Sequence, residues 1–341
     1  MNSVRIPTIY IHNFINHMKI KVLIIGSEGA TGRSISEKLM NEKNIELYRL
    51  GRKKSHKVQV ENFFFEGDLN DIEFCRSISV NYQFDYIIYV AGIWRGSNKD
   101  QISLNENLNP FKNFISTIAK KSKHIVFFSS SAVYNKDSDY CESKIPANLV
   151  PSSTYGNAKL QSENILIDFC ANQGINFTIL RPFHIASPYE KYCRGRSHVV
   201  TDFVYESMND LNSYKKKLNT LPDVWIPFTC SKDVAKLIFS LIHRKNQSDG
   251  IYNVGSSETY SLKQLHDCIN RILVNQGSEF INYKPKKVTI LHKLFTDTFR
   301  VEWNVQGFLA TELSFSLKFK FFQILQKKIV VTEVTLDRDF F

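Results

Sequence analysis

The sequence predicts an α/β fold, a doubly wound parallel sheet with a smaller C-terminal lobe, and three observations lead there. Residues 20–25, Ile-Lys-Val-Leu-Ile-Ile, form a short β-branched run of the kind buried in a parallel sheet. A glycine-rich turn follows at once, and from Thr31 onward Ile35, Leu39 and Met40 recur at helical spacing, so strand, turn and helix come in that order. The alternation then repeats. Strands are expected over 45–50, 63–65, 85–90, 124–129 and 176–180, and helices over 109–121 and 154–173. After Arg181-Pro182 the pattern loses its regularity, leaving turns, short helices and a strand over 250–255. The expected division is an N-terminal extension over 1–17, a Rossmann-like domain over 18–180, and a smaller lobe over 181–341 with segments returning to the first domain.

With 43% hydrophobic residues in 341, the chain carries enough apolar material for one large core or two modest ones. Every apolar run is cut by charged or amide groups before it reaches the roughly 20 residues of a membrane helix, so no membrane span is expected. Residues 1–17 lack the apolar stretch and small-residue cleavage site of a secretory signal. Met18-Lys19-Ile20-Lys21-Val22 reads as a natural start leading straight into a strand. Six cysteines, Cys75, Cys141, Cys170, Cys193, Cys230 and Cys268, form no CxxC pair and no cluster with histidine. Reduced thiols in the cytoplasm, with no metal site, are therefore expected. The net charge of +11 is spread along the chain, and its densest clusters are only Arg52-Lys53-Lys54 and Lys215-Lys216-Lys217. That pattern favours a small anionic molecule over nucleic acid or an anionic membrane.

The turn Gly26-Ser27-Glu28-Gly29-Ala30-Thr31-Gly32 has GxxGxxG spacing and lies between the first strand and the first helix. Glycines there permit a tight turn and close approach of backbone to a pyrophosphate, while the helix N-terminus offers free N–H groups and partial positive charge. Gly26, Gly29, Ala30, Thr31 and Gly32 are thus candidate cofactor contacts. NAD-specific folds place a carboxylate at the end of the second strand, to hold the ribose 2′-hydroxyl. Here Arg49-Leu50-Gly51-Arg52-Lys53-Lys54 has none, and Arg52 can grip a 2′-phosphate with paired hydrogen bonds. NADP(H) is favoured over NAD(H), against the alternative of a solvated basic turn. Asp68 and Leu69 follow the third strand, and Ala91 and Gly92 follow the fourth. They are read as further cofactor contacts, with plain turn chemistry as the open alternative.

Tyr155-Gly-Asn-Ala-Lys159 puts a phenol and an ammonium at i and i+4 on one face of a helix whose start is marked by Pro151, Ser152, Ser153 and Thr154. A phenol is a poor acid-base catalyst at neutral pH, but a neighbouring ammonium stabilises the phenolate and draws its pKa toward the working range. Upstream, Ser129-Ser130-Ser131-Ala132-Val133-Tyr134 ends a buried strand, where a hydroxyl can orient a substrate carbonyl toward that phenol.

Together these residues resemble the extended short-chain dehydrogenase/reductases, the NAD-dependent epimerase/dehydratase group, whose members mostly act on nucleotide-linked sugars. The likeness runs from Met18 to about Phe315, with further echoes in Leu180-Arg181-Pro182-Phe183, in Phe228 to Ala235, in Tyr252 to Gly255 with Ser261-Leu262, and in Phe308 to Phe315. The resemblance implies Ser130, rather than Ser129 or Ser131, as the catalytic hydroxyl. It implies Tyr155 as proton donor or acceptor, Lys159 as the residue that binds the nicotinamide ribose and tunes Tyr155, and Asn107 as a structural asparagine. Dehydratases of the group carry an Asp-Glu pair just after the hydroxyl, where this chain has Ser131-Ala132, and its reductase-epimerases carry a Cys where Ala132 stands. What remains is hydride transfer at one carbon.

The resemblance therefore implies an NADP(H)-dependent reductase of a carbonyl on a nucleotide sugar, such as a 4-keto-6-deoxy sugar. A nucleotide-sugar 4-epimerase that retains its NAD(P) is the alternative, and a non-catalytic NADP(H) sensor a third reading. Substrate contacts are expected from Ser130, Ser131, His184, Arg194 and Arg196, with His198 nearby. The group's usual Asn is here His184, and Ile226 stands where its diphosphate-gripping Arg is found. The group's habit of pairing through a four-helix contact leaves room for a homodimer.

Overall fold

The computed structural model describes residues 19–53, 63–93, 100–134, 149–192, 197–209, 211–222, 224–244, 250–256, 258–274 and 286–287. The expected N-terminal extension, Lys54, Cys141, Cys193, Arg194, Arg196 and the echo at 308–315 lie outside the described residues.

Seven strands form one sheet: β1 (Ile20–Ile25), β2 (Ile45–Gly51), β3 (Phe63–Glu66), β4 (Phe84–Tyr89), β5 (Ser122–Phe128), β6 (Asn176–Pro182) and β10 (Gly250–Val254). Their order is β10-β6-β5-β4-β1-β2-β3, and every pairing is parallel. Because side chains alternate along a strand, each apolar run feeds two cores. Val22 and Ile24 pack with Ile35 and Leu39 of α1 (Ala30–Met40) and with Val234 and Ile238 of α7 (Ser231–His243). Leu23 and Ile25 face the other way. They pack with Cys75 and Ile78 of α2 (Ile72–Asn81), Phe111 and Phe114 of α3 (Asp100–Ser116), and Leu166 and Cys170 of α4 (Thr154–Gln173). The doubly wound parallel sheet expected from the sequence is the fold observed.

Two helices depart from expectation. The sequence reading left α2 out, yet Asp71 starts it cleanly, its carboxylate accepting from the backbone N–H groups of Glu73 (3.0 Å) and Phe74 (3.1 Å). The helix expected over 109–121 begins instead at Asp100, runs through Pro110 and ends at Ser116, and residues Ile118–Lys121 form a 3₁₀ turn. A proline inside a helix removes one i→i−4 hydrogen bond, a loss this helix tolerates while it buries Phe111 and Phe114 against the sheet.

Beyond β6 the chain builds a second, smaller core from Phe203, Tyr214, Ile226, Phe228, Leu265 and Ile269. It draws on α5 (Val199–Asn209), α6 (Leu211–Lys217) and α8 (Leu262–Val274). β7 (Ile185–Ala186) pairs with β9 (Thr229–Cys230), and β11 (Glu258–Ser261) lies between β8 (Trp225–Ile226) and β12 (Lys286–Lys287). The chain also returns to the main sheet, through β10 and through α7, whose Ser231 hydroxyl lies 2.7 Å from that of Ser34 on α1. Among the described residues no helix is long and apolar enough to cross a membrane.

Strand order reverses between β4 and β1, and the sheet's crevice opens at the carboxyl ends of those two strands. Gly26 turns the chain there with φ +88°, and a Cβ on it would sit 2.7 Å from the Ala91 nitrogen. Gly26→Ala is therefore expected to cost about 1–3 kcal/mol of stability, from the strained backbone alone, with more if Ala91 cannot retreat. Urea denaturation is the check, and an unchanged midpoint would contradict the close approach.

Candidate active site

At the crevice the glycine turn is built by tight backbone packing. The N–H groups of Gly26 (2.9 Å) and Ser27 (3.2 Å) donate to the Leu50 carbonyl, tying the turn to β2. A Cβ on Gly32 would lie 2.2 Å from the Gly26 carbonyl oxygen, so the first turn of α1 rests on the glycine loop. Gly29 caps that helix with no side-chain hydrogen bond and no acidic residue follows in the first turn, so Ala30 and Thr31 sit at an uncapped N-terminus. Ala91 and Gly92 meet this turn from β4, the Val90 N–H donating to the Ile25 carbonyl (3.0 Å). Backbone, glycines and a bare helix N-terminus are what a dinucleotide pyrophosphate fits. Asp68 and Leu69 lie differently. Asp68 accepts from its own turn, from the N–H and side-chain amide of Asn70 (2.9 Å each), and Leu69 is buried in the core.

The end of β2 holds more charge than the sequence reading recognised. Arg52 is exposed there, but the space above Gly51 is filled by Glu28: a Cβ on Gly51 would meet the Glu28 Cγ at 3.1 Å. The Glu28 carboxylate lies 3.4 Å from both Arg33 and Arg49. Arg49 is buried, its ring-facing side against Phe64, and its Nε and Nη2 atoms find no hydrogen-bond acceptor among the described residues; the same holds for Arg33 Nε. Burial holds the Arg49 guanidinium below its ordinary pKa, partly offset by Glu28. Two guanidiniums thus flank one carboxylate, with Arg52 exposed at the end of the strand. Glu28 and Arg33 were visible as charges beside the glycines, and Arg49 as a cation inside a strand otherwise largely bound for the core.

Ser130, Tyr155 and Lys159 are brought together. The triple serine splits because successive residues at a strand end point in different directions. Ser129 is buried, its hydroxyl donating to Glu163; Ser130 caps the short turn Ser131–Val133 by accepting from the Ala132 N–H (3.1 Å); Ser131 opens that turn. A hydrogen bond joins the Ser130 hydroxyl to the Tyr155 phenol. The helix that carries Tyr155 starts where the Ser153 hydroxyl accepts from the Gly156 N–H (3.1 Å). Gly156 is required for contact, since a Cβ there would lie 2.0 Å from the Ala132 carbonyl oxygen.

One turn further along α4, the Lys159 ammonium donates to the Phe128 carbonyl (2.7 Å) and stands 5.8 Å from the centre of the Tyr155 ring. A Cβ on Gly92 would come within 3.2 Å of Lys159 Nζ, so the backbone at Gly92 runs close beside this lysine. Asn107 fixes the same corner, accepting from the Ile93 N–H (2.9 Å) and donating to the Ile93 carbonyl (3.1 Å). Burial pushes the Tyr155 phenol up to about 12, with the Ser130 hydrogen bond pulling the other way. This is the reverse of the sequence expectation: desolvation of the phenol outweighs the pull of the Ser130 hydrogen bond. Burial also brings Lys159 down to about 8, opposed by the field of Glu163.

On the substrate side, His184 adopts φ +23°, left-handed backbone that a non-glycine residue rarely holds. The residue is exposed, yet desolvation by the surrounding chain, helped by the charge of His198, pushes the imidazole down to about 4. It is neutral at neutral pH. His198 contacts Glu190 through Nδ1 (2.6 Å) and its backbone N–H (3.0 Å), and Thr201 donates to the same carboxylate (2.6 Å). The Phe228 segment has a structural role, the Thr229 N–H donating to the His184 carbonyl (3.2 Å) and the Thr229 hydroxyl to Val254 (3.2 Å).

Sheet order and glycine turn define a dinucleotide-binding α/β class of protein, in which Ser130, Tyr155 and Lys159 converge at the crevice. Residues 22–255 match the model of the NAD dependent epimerase/dehydratase family, and the chain belongs to that family of nicotinamide-dinucleotide enzymes. It is 22% identical over 277 residues to a UDP-glucose 4-epimerase of Lactobacillus helveticus, covering 74% of this chain and 82% of that one. It is 24% identical over 295 residues to the bifunctional polymyxin resistance protein ArnA of Wigglesworthia glossinidia brevipalpis, covering 76% of this chain but only 42% of that longer protein. Among solved structures, UDP-glucose 4-epimerase of Thermotoga maritima, determined with UDP-glucose, superposes with TM-score 0.69 at 17% identity over 88% of this chain and 99% of that one. The Bordetella bronchiseptica enzyme WbmG, determined with NAD and UDP, gives TM-score 0.64 at 16% identity, covering 89% and 96%. At these identities the superpositions establish the fold.

Two expectations follow from the geometry. Gly156→Ala should push α4 away from the Ser131–Val133 turn and lower kcat/KM by roughly 100-fold, since a shift of about 1 Å suffices for that, while the melting temperature shows the fold retained. The kcat/KM profile should fall as pH rises through about 8, where Lys159 loses its proton; a flat profile to pH 10 would remove the ammonium from the mechanism.

Proposed function

We propose that this enzyme is an NADP(H)-dependent reductase of a carbonyl on a nucleotide-linked sugar, most simply a 4-keto-6-deoxy sugar. The observation that carries the reading is the joining of Ser130 to the Tyr155 phenol, with Lys159 one helical turn beyond. The bound nicotinamide supplies a hydride to the carbonyl carbon. Ser130 orients the carbonyl oxygen by hydrogen bonding, and Tyr155 gives that oxygen its proton. Lys159 holds the nicotinamide ribose and keeps positive charge beside the phenol as it loses its proton. A phenol kept protonated by burial is already the acid that reduction requires.

NADP(H) is supported by the guanidinium charge beside the glycine turn, where Arg33 and Arg49 flank Glu28 and Arg52 is exposed at the end of β2. Gly26, Gly29, Ala30, Thr31, Gly32, Ala91 and Gly92 line the rest of the cofactor's path. Ser131 and His184 face the substrate side, and a cytoplasmic enzyme would draw on a reducing NADPH pool. A nucleotide-sugar substrate is supported by the Thermotoga and Bordetella enzymes, whose structures hold UDP-glucose and UDP. A second reading, a 4-epimerase that retains its dinucleotide, is favoured by the two UDP-glucose 4-epimerases among the relatives.

NADPH oxidation across a panel of 4-keto nucleotide sugars, with product identification, decides between them. The reductase should consume one NADPH per ketone, prefer NADPH to NADH, and lose about 10²–10⁴-fold in rate on Tyr155→Phe. Protein that purifies with tightly bound NAD and interconverts sugars without added dinucleotide would transfer the assignment to the epimerase.

A further inference from the structure

Beneath the trio lies a buried charge network that the catalytic steps do not use. Glu163 follows Tyr155 and Lys159 at the same four-residue interval on α4, and its carboxylate, like Arg181 on β6, has no solvent exposure. Both oxygens are engaged: Oε2 accepts from Arg181 Nη2 (2.6 Å), and Oε1 accepts from Arg181 Nε (3.0 Å) and from the Ser129 hydroxyl. Arg181 Nη1 donates to the Tyr134 phenol oxygen (2.9 Å), and that phenol donates to Asn253 on β10 (2.8 Å). One ion pair therefore joins α4, β6, β10 and both ends of the segment 129–134 that carries Ser130.

Stability alone is a poor reason for such a pair, because desolvating two charges commonly costs as much as their attraction returns. Its neighbours suggest what it does instead. Ser129 immediately precedes Ser130, and the groups facing Lys159 are Tyr155 and Glu163 on its own helix, the Phe128 carbonyl and the Phe127 ring (5.0 Å) on β5, Gly92 after β4 and Asn107 on α3. Glu163 is the one carboxylate among them.

We propose that Glu163, clamped by Arg181, is a positioning residue of the hydride-transfer site, fixing Ser130 through Ser129 and supplying the counter-charge that keeps Lys159 an ammonium. The catalytic half of this rests on the function proposed above; the electrostatic half does not. The direction agrees with the opposition of Glu163 to the desolvation of Lys159.

The test is a ¹³C-lysine NMR titration of Lys159, its signal assigned by loss in Lys159→Arg, in the wild type and in Glu163→Gln. The Lys159 midpoint should move to lower pH by about one unit or more, since removing the carboxylate leaves only burial and the Arg181 cation acting on it. Because Glu163→Gln leaves Arg181 buried without a counter-charge and can unfold the chain, the pair is also replaced as Glu163→Leu with Arg181→Met, an exchange such cores often accept. That variant should keep its melting temperature within a few degrees, show a smaller acid shift of Lys159 because the Arg181 cation leaves with the carboxylate, and lose about tenfold or more in kcat with little change in KM. An unmoved midpoint, or wild-type kcat and pH profile in the folded double variant, overturns the proposal. A wild-type chain that transfers no hydride to any sugar ketone, yet shows the shifted midpoint, would refute the reductase while upholding the link between Glu163 and Lys159.

Discussion

The contact on which the site depends is the meeting of α4 with the turn after β5, at the van der Waals limit of two backbones. Gly156 lies so close to the Ala132 carbonyl that no side chain can stand between them. Everything catalytic is measured from that point: Tyr155 is the residue before the glycine, Ser130 lies two before the carbonyl, and Lys159 reaches back to the last carbonyl of β5. A helix held by hydrophobic packing alone slides within its side-chain ridges. Backbone contact at one end, and the Lys159 to Phe128 hydrogen bond a turn later, remove that freedom and set a phenol against a hydroxyl.

The same economy of space governs the other wall of the crevice. Gly26, Gly32 and Gly92 each stand where a Cβ would strike another part of the site: the Ala91 backbone, the Gly26 carbonyl and the Lys159 ammonium. The parallel sheet supplies the frame, since strands buried on both faces hold their ends at fixed spacing. The glycines then turn that spacing into a slot narrow enough for backbone N–H groups to serve as ligands.

The fold was readable because its signals are local. The β-branched run at 20–25, the glycine turn and the helical recurrence of Ile35, Leu39 and Met40 are contained within about twenty residues, and each repeat of the pattern confirms the period. The Tyr155 to Lys159 spacing is likewise a property of one helix. What the sequence concealed depends on residues far apart in the chain. Glu28 fills the place above Gly51, so the end of β2, read as lacking a carboxylate, has one delivered from the preceding loop. Arg181 was visible only as part of a motif, and its partnership with Glu163 and Tyr134 exists only once β5, α4 and β6 are assembled. The α3 boundary was missed for a related reason: Pro110 is a weak helix former whose cost is covered by tertiary burial of Phe111 and Phe114, and propensity carries no knowledge of that core.

The protonation state of the site bears on the direction of its chemistry. A 4-epimerase must begin by removing a proton from a sugar hydroxyl, and so needs a phenolate; a reductase must deliver a proton, and so needs the phenol. Burial sets Tyr155 at about 12 and Lys159 at about 8, so near neutrality the pair is a neutral acid beside a cation. The negative charge left on the phenol after donation forms beside Lys159, which Glu163 helps to keep charged against the effect of burial. These protonation states are set largely by residues of the helix itself, Tyr155, Lys159 and Glu163, spaced four apart on a single face.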